Sequence, residues 1–362
     1  MENLSAREVL KEYKKSFDVR LTDYFKRKEK QARKIDPLAL EVVEIIRDFV
    51  LAGGKRLRPS LVYYGYLAAG GENKPAIIDA SMSIELVHAF LLIHDDIIDR
   101  DLVRHGKRTV HETYRRVASG FRLDEGEAAH FGNSMAIVAG DYAYSMANEI
   151  LYDSDYDPAI ILEALKNIQQ IVARTIPGEM VDVLMSAKRS GSEEEIMRMY
   201  DGKTAHYTFE GPLLLGCSLA GQEKNTKLLD DFSAYALLVG RAFQIRDDIL
   251  GVFGDQKKTG KAVGADISEG KQTILVAKVL ERGTREEKKS LLRLLGKKNL
   301  DSGELEMVCA IIKKTGSLEY AEKLSEKFVL QSLAALEKIE FKNDEARDYL
   351  ESLAKYIIKR EV

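Results

Sequence analysis

Two clusters of carboxylates carry the chemistry that this sequence can perform. In the first cluster, Asp95 and Asp99 are four residues apart, hence on one face of a helix, and Asp96 lies about 100° round from Asp95. Like charges at this spacing repel one another, more so when they are partly desolvated. Carboxylates without a neighbouring cysteine suit a hard cation, and magnesium is usually bound by one or two carboxylates together with phosphate oxygens. We therefore expect magnesium at this cluster.

The second cluster repeats the pattern of the first. Gln244, Asp247 and Asp248 fall at positions i, i+3 and i+4 of a helical stretch, and a segment rich in glycine and lysine follows at 257–271. Basic residues likewise follow the first cluster, at 104–108. If the two clusters faced each other across a bundle, they could hold several magnesium ions with a diphosphate between them. Such a site would stabilise a departing diphosphate by electrostatic catalysis.

The surroundings of the first cluster indicate the kind of substrate. Apolar residues flank the aspartates on nearly every side, so we expect these charges to end in a cavity or cleft. The alternative is a solvated acidic helix end, which is the usual interpretation of an isolated DDxxD. The sequence shows no pattern of an activated nucleophile and no GxxxxGK[ST] loop. These observations favour a diphosphate that carries an apolar chain.

Single basic residues near the clusters carry weaker signals. The run at 53–59, GGKRLRP, supplies Lys55, Arg56 and Arg58 ahead of a helix whose amino end favours anions. The same run could be a helix end followed by a solvated basic turn. His88 precedes Asp95 by seven residues and lies near the same helix face.

Two further segments offer polar side chains that could bind phosphate or face the cavity. Lys203 and Thr204 open a predicted helix, where they could bind phosphate. Glu179 and Asp182 follow a kinking Pro-Gly pair at 177–178, and they could face the cavity or merely cap the kink and contact solvent. For these two carboxylates we favour the second interpretation.

The elements that must position these residues are helices. The 362-residue chain contains six prolines and long stretches of helical periodicity, without a linker or composition shift. We predict an all-α fold, a single-domain helical bundle over 1–362 around a deep central cavity. Helices are predicted at 5–32, 38–52, 57–70, 74–103, 108–119, 130–152, 157–188, 192–201, 203–221, 225–254, 270–282, 285–296, 301–315, 317–340 and 344–360.

Composition excludes several function classes. The net charge of −3 gives no basic field for nucleic acid. Two isolated cysteines form neither a zinc site nor a disulfide framework. The first residues contain no apolar signal segment, and we find no run of eighteen apolar residues, so we expect a cytoplasmic protein without a membrane span.

Five motifs occur in the order found in one known family. They are GGKRLRP at 53–59, ELVHAFLLIHDDIID at 85–99, SMAIVAGD at 134–141, KTAHYTFEGPLLLG at 203–216, and GRAFQIRDDILGVFGD at 240–255 with the segment after it. The sequence resembles the trans-isoprenyl diphosphate synthases, most closely the archaeal-type, short-chain geranylgeranyl diphosphate synthases. The resemblance implies a homodimer that condenses isopentenyl diphosphate head-to-tail with dimethylallyl, geranyl or farnesyl diphosphate.

The resemblance also implies roles for individual residues. The catalytic residues would be Asp95, Asp96, Asp99, Lys203, Asp247 and Asp248. Three magnesium ions would bind Asp95, Asp99 and Asp247. The allylic diphosphate would bind Arg104, Lys203, Thr204, Gln244, Lys261 and Lys271. Isopentenyl diphosphate would bind Lys55, Arg58, His88 and, in this chain, His105.

Two positions depart from the family pattern. His105 replaces the second arginine of the usual RRG, which implies weaker or pH-dependent binding of isopentenyl diphosphate. Gly251 stands where many members have a third aspartate in the second cluster. Because glycine is common there in the family, we do not interpret it as loss of activity.

Product length depends in this family on bulky residues before the first cluster. Phe90, five positions before Asp95, resembles the pattern of C20 synthases, although Ile84, Val87 and Leu91 align better with Asp95 along the helix. We therefore expect geranylgeranyl diphosphate as the product, with a C15 product or one of C25 or longer as alternatives. A class I terpene cyclase and a non-catalytic regulatory subunit are remoter alternatives, because the chain keeps GGKRLRP and both acidic clusters.

Overall fold

The computed structural model describes residues 5–254 and 264–358, and these residues are almost entirely helical. The prediction of an all-α fold is confirmed. Lys261, which the sequence places among the diphosphate ligands, lies outside the described residues. In chain order the helices are α1 (Ala6–Ala32), α2 (Pro37–Leu51), α3 (Leu57–Ala68), α4 (Lys74–Asp99), α5 (Val110–Val117), α6 (Glu125–Tyr152), α7 (Pro158–Lys188), α8 (Glu193–Tyr200), α9 (Gly211–Leu219), α10 (Thr226–Phe253), α11 (Ala265–Glu269), α12 (Ile274–Arg282), α13 (Arg285–Leu294), α14 (Ser302–Lys314), α15 (Ser317–Leu336) and α16 (Asp344–Ile358).

Three further elements interrupt this series. Strands β1 (Val103–Arg104) and β2 (Lys107–Arg108) pair as an antiparallel hairpin, with Val103 opposite Arg108. A 3₁₀ turn covers Ala118–Gly120. Asp201–Glu210 is a π-helical segment, where one continuous α-helix over 203–221 was expected. π-Helical turns are rare, and they are frequently found at functional sites.

The helix predicted over 74–103 ends earlier, at Asp99. Arg100 has a positive φ of 61° and donates its backbone N–H to the carbonyl of Ile97 at 3.3 Å. The N–H of Asp101 donates to the carbonyl of Asp96 at 2.9 Å. These two bonds form a Schellman motif, which ends a helix by satisfying its last carbonyls. The prediction of helix over 100–103 was therefore wrong.

The hairpin that follows turns through residues with positive φ. His105 and Gly106 have φ values of 51° and 75° and occupy the two central positions of the turn. Positive φ at both positions is the mark of a type I′ turn, which matches the twist of a two-stranded hairpin. Residues 107–109 thus precede α5, instead of beginning it at 108 as predicted.

Other helix boundaries also differ from the prediction. The helix expected at 270–282 begins later, at Ile274, as α12. The short helix α11 was not predicted, and Gly270, with a φ of 80°, ends it. Helix α6 begins at Glu125, earlier than expected, because Asp124 caps it by accepting the N–H of Glu127. Helix α15 ends at Leu336, ahead of the predicted end at 340.

The chain divides into two compact units, which we describe separately. The N-terminal unit comprises Arg7–Ile168 and Leu215–Gln222. The C-terminal unit comprises Met1–Ala6, Gln169–Leu214 and Glu223–Val362. The single domain over 1–362 and its central cavity stay predictions.

Helix α4 is the central helix of the N-terminal unit. It packs against α3 and α6, and its fully buried Ile93 joins Val110, Tyr114, Ala136 and Ala139 in one apolar cluster. Among the described residues, α4 is also the one helix long and apolar enough to cross a membrane, and 61% of its apolar window is buried inside the protein. The cytoplasmic location stays a prediction.

The core of the C-terminal unit surrounds the end of α10. Fully buried side chains of α8, α10 and α12–α14 form one large apolar cluster, to which Tyr200, Ile245 and Ile249 belong. Three other members, Ile274, Val279 and Leu291, come from the helices after the undescribed segment. The acidic end of α10 is therefore held in place by a packed apolar cluster.

Arg56 ties three helices of the N-terminal unit together. Its side chain is only 3% exposed and donates to Asp18 Oδ1 of α1 at 2.8 Å, to Glu85 Oε1 of α4 at 2.5 Å and to the carbonyl of Val50 in α2 at 2.9 Å. Sequence reasoning grouped Arg56 with Lys55 and Arg58 as a phosphate ligand. The sequence left open whether this run binds phosphate or is a solvated turn, and in the structure all three nitrogens of the Arg56 guanidinium are engaged inside the protein.

Replacing Arg56 by glutamine tests this structural role. The substitution leaves the buried Glu85 carboxylate without its cation, so we expect the free energy of unfolding to fall by about 3–5 kcal/mol. Lys55→Gln is the matched control, since Lys55 is exposed, and its effect should stay within about 0.5 kcal/mol. Urea unfolding measures both variants, and equal stabilities would contradict the role assigned to Arg56.

Candidate active site

The first acidic cluster lies where α4 ends and the hairpin turns back over it. Arg104 of β1 donates its Nε to Asp96 Oδ1 at 2.6 Å and Nη2 to Asp95 Oδ2 at 3.3 Å. Its Nη2 also lies 3.7 Å from Asp101 Oδ2. One guanidinium thus offsets part of the repulsion among these carboxylates, which explains how an apolar helix can end in them.

The three aspartates of this cluster differ in exposure. Asp96 is fully buried, and its Oδ2 has no hydrogen-bond partner among the described residues. Burial raises the pKa of Asp96 to about 6, against the lowering effect of Arg104. Asp95 and Asp99 are partly exposed and lie one turn apart. These two carboxylates are therefore the accessible ones.

The accessible pair suits magnesium. Within the described ranges there is no group of three or more His, Cys, Asp or Glu side chains that could hold a metal. Magnesium does not need such a group, because it usually keeps several waters and takes one or two carboxylates together with phosphate oxygens. The oxygen-only donors Asp95 and Asp99 fit that mode of binding.

The residues that the sequence predicts to bind isopentenyl diphosphate all belong to the N-terminal unit; they are Lys55, Arg58, His88 and His105. Arg58 donates Nη1 to His88 Nε2 at 3.0 Å, so the ring is neutral with its proton on Nδ1. Burial and then the guanidiniums of Arg58, Arg104 and Arg56 hold the pKa of His88 well below its usual value. His88 thus orients Arg58 and adds no charge of its own.

His105 lies against the glycine turn at 53–54. A Cβ placed on Gly53 would be 3.2 Å from His105 Cγ, so the hairpin tip contacts the turn that carries Lys55. Partial burial, Arg104 and Arg56 lower the pKa of His105. The ring is therefore neutral at pH 7, and it does not supply the charge of the arginine that the family usually has here.

The residues predicted to limit product length lie on the buried face of α4. Phe90 contacts Tyr144 of α6, with ring centroids 5.1 Å apart, and His94, at 4.9 Å. Ile84 and Val87 are fully buried, and Leu91 is partly exposed. Phe90 therefore belongs to a packed group of three rings, which limits its freedom to move aside.

The second acidic cluster, in the C-terminal unit, also contains one buried and one accessible carboxylate. Asp248 is buried, accepts from Gln244 Nε2 at 2.8 Å and from the hydroxyl of Tyr200, and its pKa is raised well above the usual value by burial and by Asp266. Tyr200 in turn accepts the backbone N–H of Ile274 at 3.1 Å. Asp247 is exposed. Asp248 thus anchors the cluster internally, and Asp247 is the carboxylate open to a metal.

Several predicted diphosphate ligands of the C-terminal unit lie on the same network. Thr204 Oγ1 donates to Gln244 Oε1 at 2.5 Å, which links the π-helical segment to α10. Lys271 forms an ion pair with Glu269 Oε2 at 2.5 Å, beside the end of α11. Thr204, Gln244 and Asp248 are therefore joined by hydrogen bonds, and Lys271 has a carboxylate partner nearby.

Asp266 explains the glycine in the second cluster. A Cβ on Gly251 would collide with Asp266 Oδ2. The carboxylate of α11 thus occupies the space into which a third aspartate of α10 would project. Sequence reasoning missed this contact, because the two residues are separated by the segment at 255–263.

Glu179 and Asp182 have a different environment from the one that the sequence favoured. Lys203 Nζ lies 2.8 Å from Glu179 Oε2 and 2.7 Å from Asp182 Oδ2. The expectation that these carboxylates merely cap a kink and contact solvent was wrong. The available signal was the pair of small residues, Gly178 and Gly202, which lets the two segments approach closely.

Comparisons with known proteins agree with this geometry. The family model described as polyprenyl synthetase matches residues 40–312. The chain is 35% identical over 315 residues to the geranylgeranyl diphosphate synthase of Saccharolobus solfataricus, covering 85% of this chain and 87% of that protein. It is 32% identical over 317 residues to the geranylfarnesyl diphosphate synthase of Aeropyrum pernix, covering 86% and 92%.

A solved structure resembles the whole chain. The crystal structure of geranylgeranyl pyrophosphate synthase from Corynebacterium glutamicum, complexed with isoprenyl diphosphate and magnesium, matches with a TM-score of 0.88 and 33% identity, covering 100% of both chains. Together with the family match over more than half of the sequence, this likeness identifies the chain as a prenyltransferase that belongs to the polyprenyl synthetase family.

Proposed function

We propose that this enzyme condenses isopentenyl diphosphate head-to-tail with an allylic diphosphate, in the presence of magnesium, and releases geranylgeranyl diphosphate and diphosphate. The observation that carries the proposal is the acidic end of α4, where Asp95 and Asp99 stay accessible while Arg104 and the buried Asp96 hold the helix end together. This arrangement offers carboxylates to a cation and a guanidinium to its anion. The likeness to the Saccharolobus and Corynebacterium synthases supports the same assignment.

The N-terminal unit would bind isopentenyl diphosphate. Lys55 is exposed, and Arg58 is held in direction by its hydrogen bond to His88. His105, neutral at pH 7, can donate one hydrogen bond to a phosphate oxygen. These contacts come from one unit, and the hydrogen bond that orients Arg58 is already formed. Isopentenyl diphosphate would therefore keep one orientation while the allylic diphosphate reacts.

The allylic diphosphate would bind the remaining cationic and polar groups. These groups are Arg104, Lys203, Thr204, Gln244 and Lys271, the ligands that the family resemblance implies. Magnesium, which we place at Asp95, Asp99 and Asp247 and expect as three ions, would act as Lewis acid on the departing diphosphate. The chain's own cations would stabilise the same negative charge.

The proposed reaction balances without a protein nucleophile. The bond between the allylic carbon and its diphosphate oxygen breaks, and the electron pair leaves with the diphosphate. The double bond of isopentenyl diphosphate attacks the resulting allylic cation. The departed diphosphate, a base formed in the first step, accepts the proton whose loss forms the new double bond. Asp96 and Asp248 would position their neighbours, because both are buried and hydrogen-bonded inside the protein.

Product length rests on a separate observation, the packing of Phe90. The relatives from Saccharolobus and Aeropyrum are named as synthases of C20 and C25 products at 35% and 32% identity, so identity alone does not decide the length. Phe90 is held between Tyr144 and His94, and a side chain fixed in this way can stop a growing chain. We therefore propose C20, with C15 as the nearest alternative.

The homodimer implied by the family resemblance is part of the proposal. Large apolar side chains are exposed on α6, at Ile137 and Val138, and on α7, at Ile176, Met180 and Leu184. Exposed apolar residues in such numbers on two helices are typical of surfaces that another chain covers. They support association between two copies of this chain.

The direct test is an elongation assay. Purified enzyme is incubated with magnesium, isopentenyl diphosphate and either dimethylallyl, geranyl or farnesyl diphosphate, and products are separated by chain length. We expect a C20 product, lost on chelation of the metal and reduced at least about 100-fold in Asp95→Asn. No elongation with any primer would contradict the proposal, and a cyclised product without consumption of isopentenyl diphosphate would favour a terpene cyclase.

Phe90→Ala tests the length assignment. Removing the ring opens space beside Tyr144, so we expect C25 or longer products in the same assay. Phe90→Leu, which keeps more of the core volume, should shift the distribution less and guards against loss of folding. Phe121→Ala is the matched control, because Phe121 is exposed. An unchanged C20 product in both Phe90 variants would show that Phe90 does not limit product length, and Ile84 and Val87 would be tested next.

His105→Arg tests the departure from the family pattern. A guanidinium at the hairpin tip restores a permanent charge, so we expect KM for isopentenyl diphosphate to fall about two- to tenfold at pH 7. His105→Gln is the control, because it stays neutral and should leave this KM near the wild-type value. A fall in both variants, or in neither, would show that charge at residue 105 does not set this affinity.

A further inference from the structure

Lys203 is held by two carboxylates of one helix in the C-terminal unit. Glu179 Oε2 and Asp182 Oδ2 lie 2.8 Å and 2.7 Å from its Nζ, and both residues come from α7. Asp182 is only 7% exposed, and its Oδ1 has no hydrogen-bond partner among the described residues. Taken by themselves, these three side chains of the described residues, one ammonium and two carboxylates, carry a net charge of −1.

Close backbone packing fixes the positions of these three side chains. A Cβ on Gly178 would be 2.5 Å from the backbone nitrogen of Lys203, and one on Gly202 would be 3.0 Å from Gly178 Cα. Pro177 interrupts the hydrogen bonds of α7 just before this contact. Asp201 forms a two-pronged ion pair with Arg241 at 2.6 and 2.7 Å, which ties the start of the π-helical segment to α10.

Lys203 can pair either with the two carboxylates of α7 or with a diphosphate. Its ammonium is already paired inside the protein, although its side chain remains 24% exposed. A diphosphate that binds Lys203 must compete with Glu179 and Asp182 for the same charge. It also approaches two carboxylates of its own sign, which weakens its binding further at these short distances.

We propose that Glu179, together with Asp182, is a positioning residue that weakens the hold of Lys203 on diphosphate, so that the diphosphate product is released. The proposal rests on the proposed function, in which Lys203 binds the allylic diphosphate. Removing one carboxylate would therefore increase the affinity of Lys203 for diphosphate. The residue thus adjusts affinity through Lys203 without touching the reacting carbons.

Glu179→Gln is the informative variant, because it removes the charge and keeps the shape. We expect the inhibition constant of inorganic diphosphate, measured with magnesium, and KM for the allylic substrate both to fall about two- to tenfold. We expect kcat to fall as well, because product leaves more slowly. Glu179→Asp, which keeps the charge, should return all three values toward the wild type.

Two controls separate this role from a structural one. Glu194→Gln removes the same charge from an exposed pair with Arg198 in the same unit and should change none of the values. A residue needed only for folding would instead lower the melting temperature and raise KM. Unchanged or weaker diphosphate binding in Glu179→Gln would overturn the inference while wild-type elongation stands, whereas absence of wild-type elongation would refute the proposed function itself.

Discussion

The structure depends on keeping carboxylates stable at the ends of apolar helices. A buried carboxylate without partners is costly, and both acidic clusters meet that cost with donors from neighbouring segments. Arg104 folds back from the hairpin onto Asp95 and Asp96, and Tyr200 and Gln244 hold Asp248. Each cluster thereby gains one buried, anchored aspartate, while Asp95 and Asp99 in the first cluster and Asp247 in the second stay accessible. Burial decides which aspartate is anchored, since Asp96 and Asp248 lie on the buried face of their helices.

Close approaches at glycine make the rest of the site possible. Gly53 lies against the ring of His105, Gly178 against the backbone at Lys203, and Gly251 against the carboxylate of Asp266. In each case an added Cβ would come within about 3.2 Å of an atom of the neighbouring residue, so that residue would have to move. The same sequence feature thus brings a hairpin tip to the basic turn, a lysine to its carboxylates, and α11 to the end of α10.

The sequence allows much of the fold to be predicted, because long helices repeat their apolar residues with a regular period. The two acidic clusters are also visible in sequence, since their members are neighbours on one helix. The hairpin at 103–108 is not, because it depends on positive φ at Arg100 and His105, which ordinarily favours glycine. The partners of Arg56 and Glu179 could not be predicted for another reason: they are distant in sequence, and only packing brings them together.

We propose that the accessible carboxylates bind magnesium only together with a diphosphate, because magnesium usually takes one or two carboxylates and completes its coordination with phosphate oxygens and water. Thermal unfolding of the wild-type enzyme with magnesium alone, inorganic diphosphate alone and both together tests it most directly. Ligands that bind the folded state raise the melting temperature. We expect magnesium or diphosphate alone to change the melting temperature little and the two together to raise it clearly. This rise should be lost in Asp99→Asn and in Asp247→Asn. An equal rise with diphosphate alone, or a rise that survives both substitutions, would contradict it.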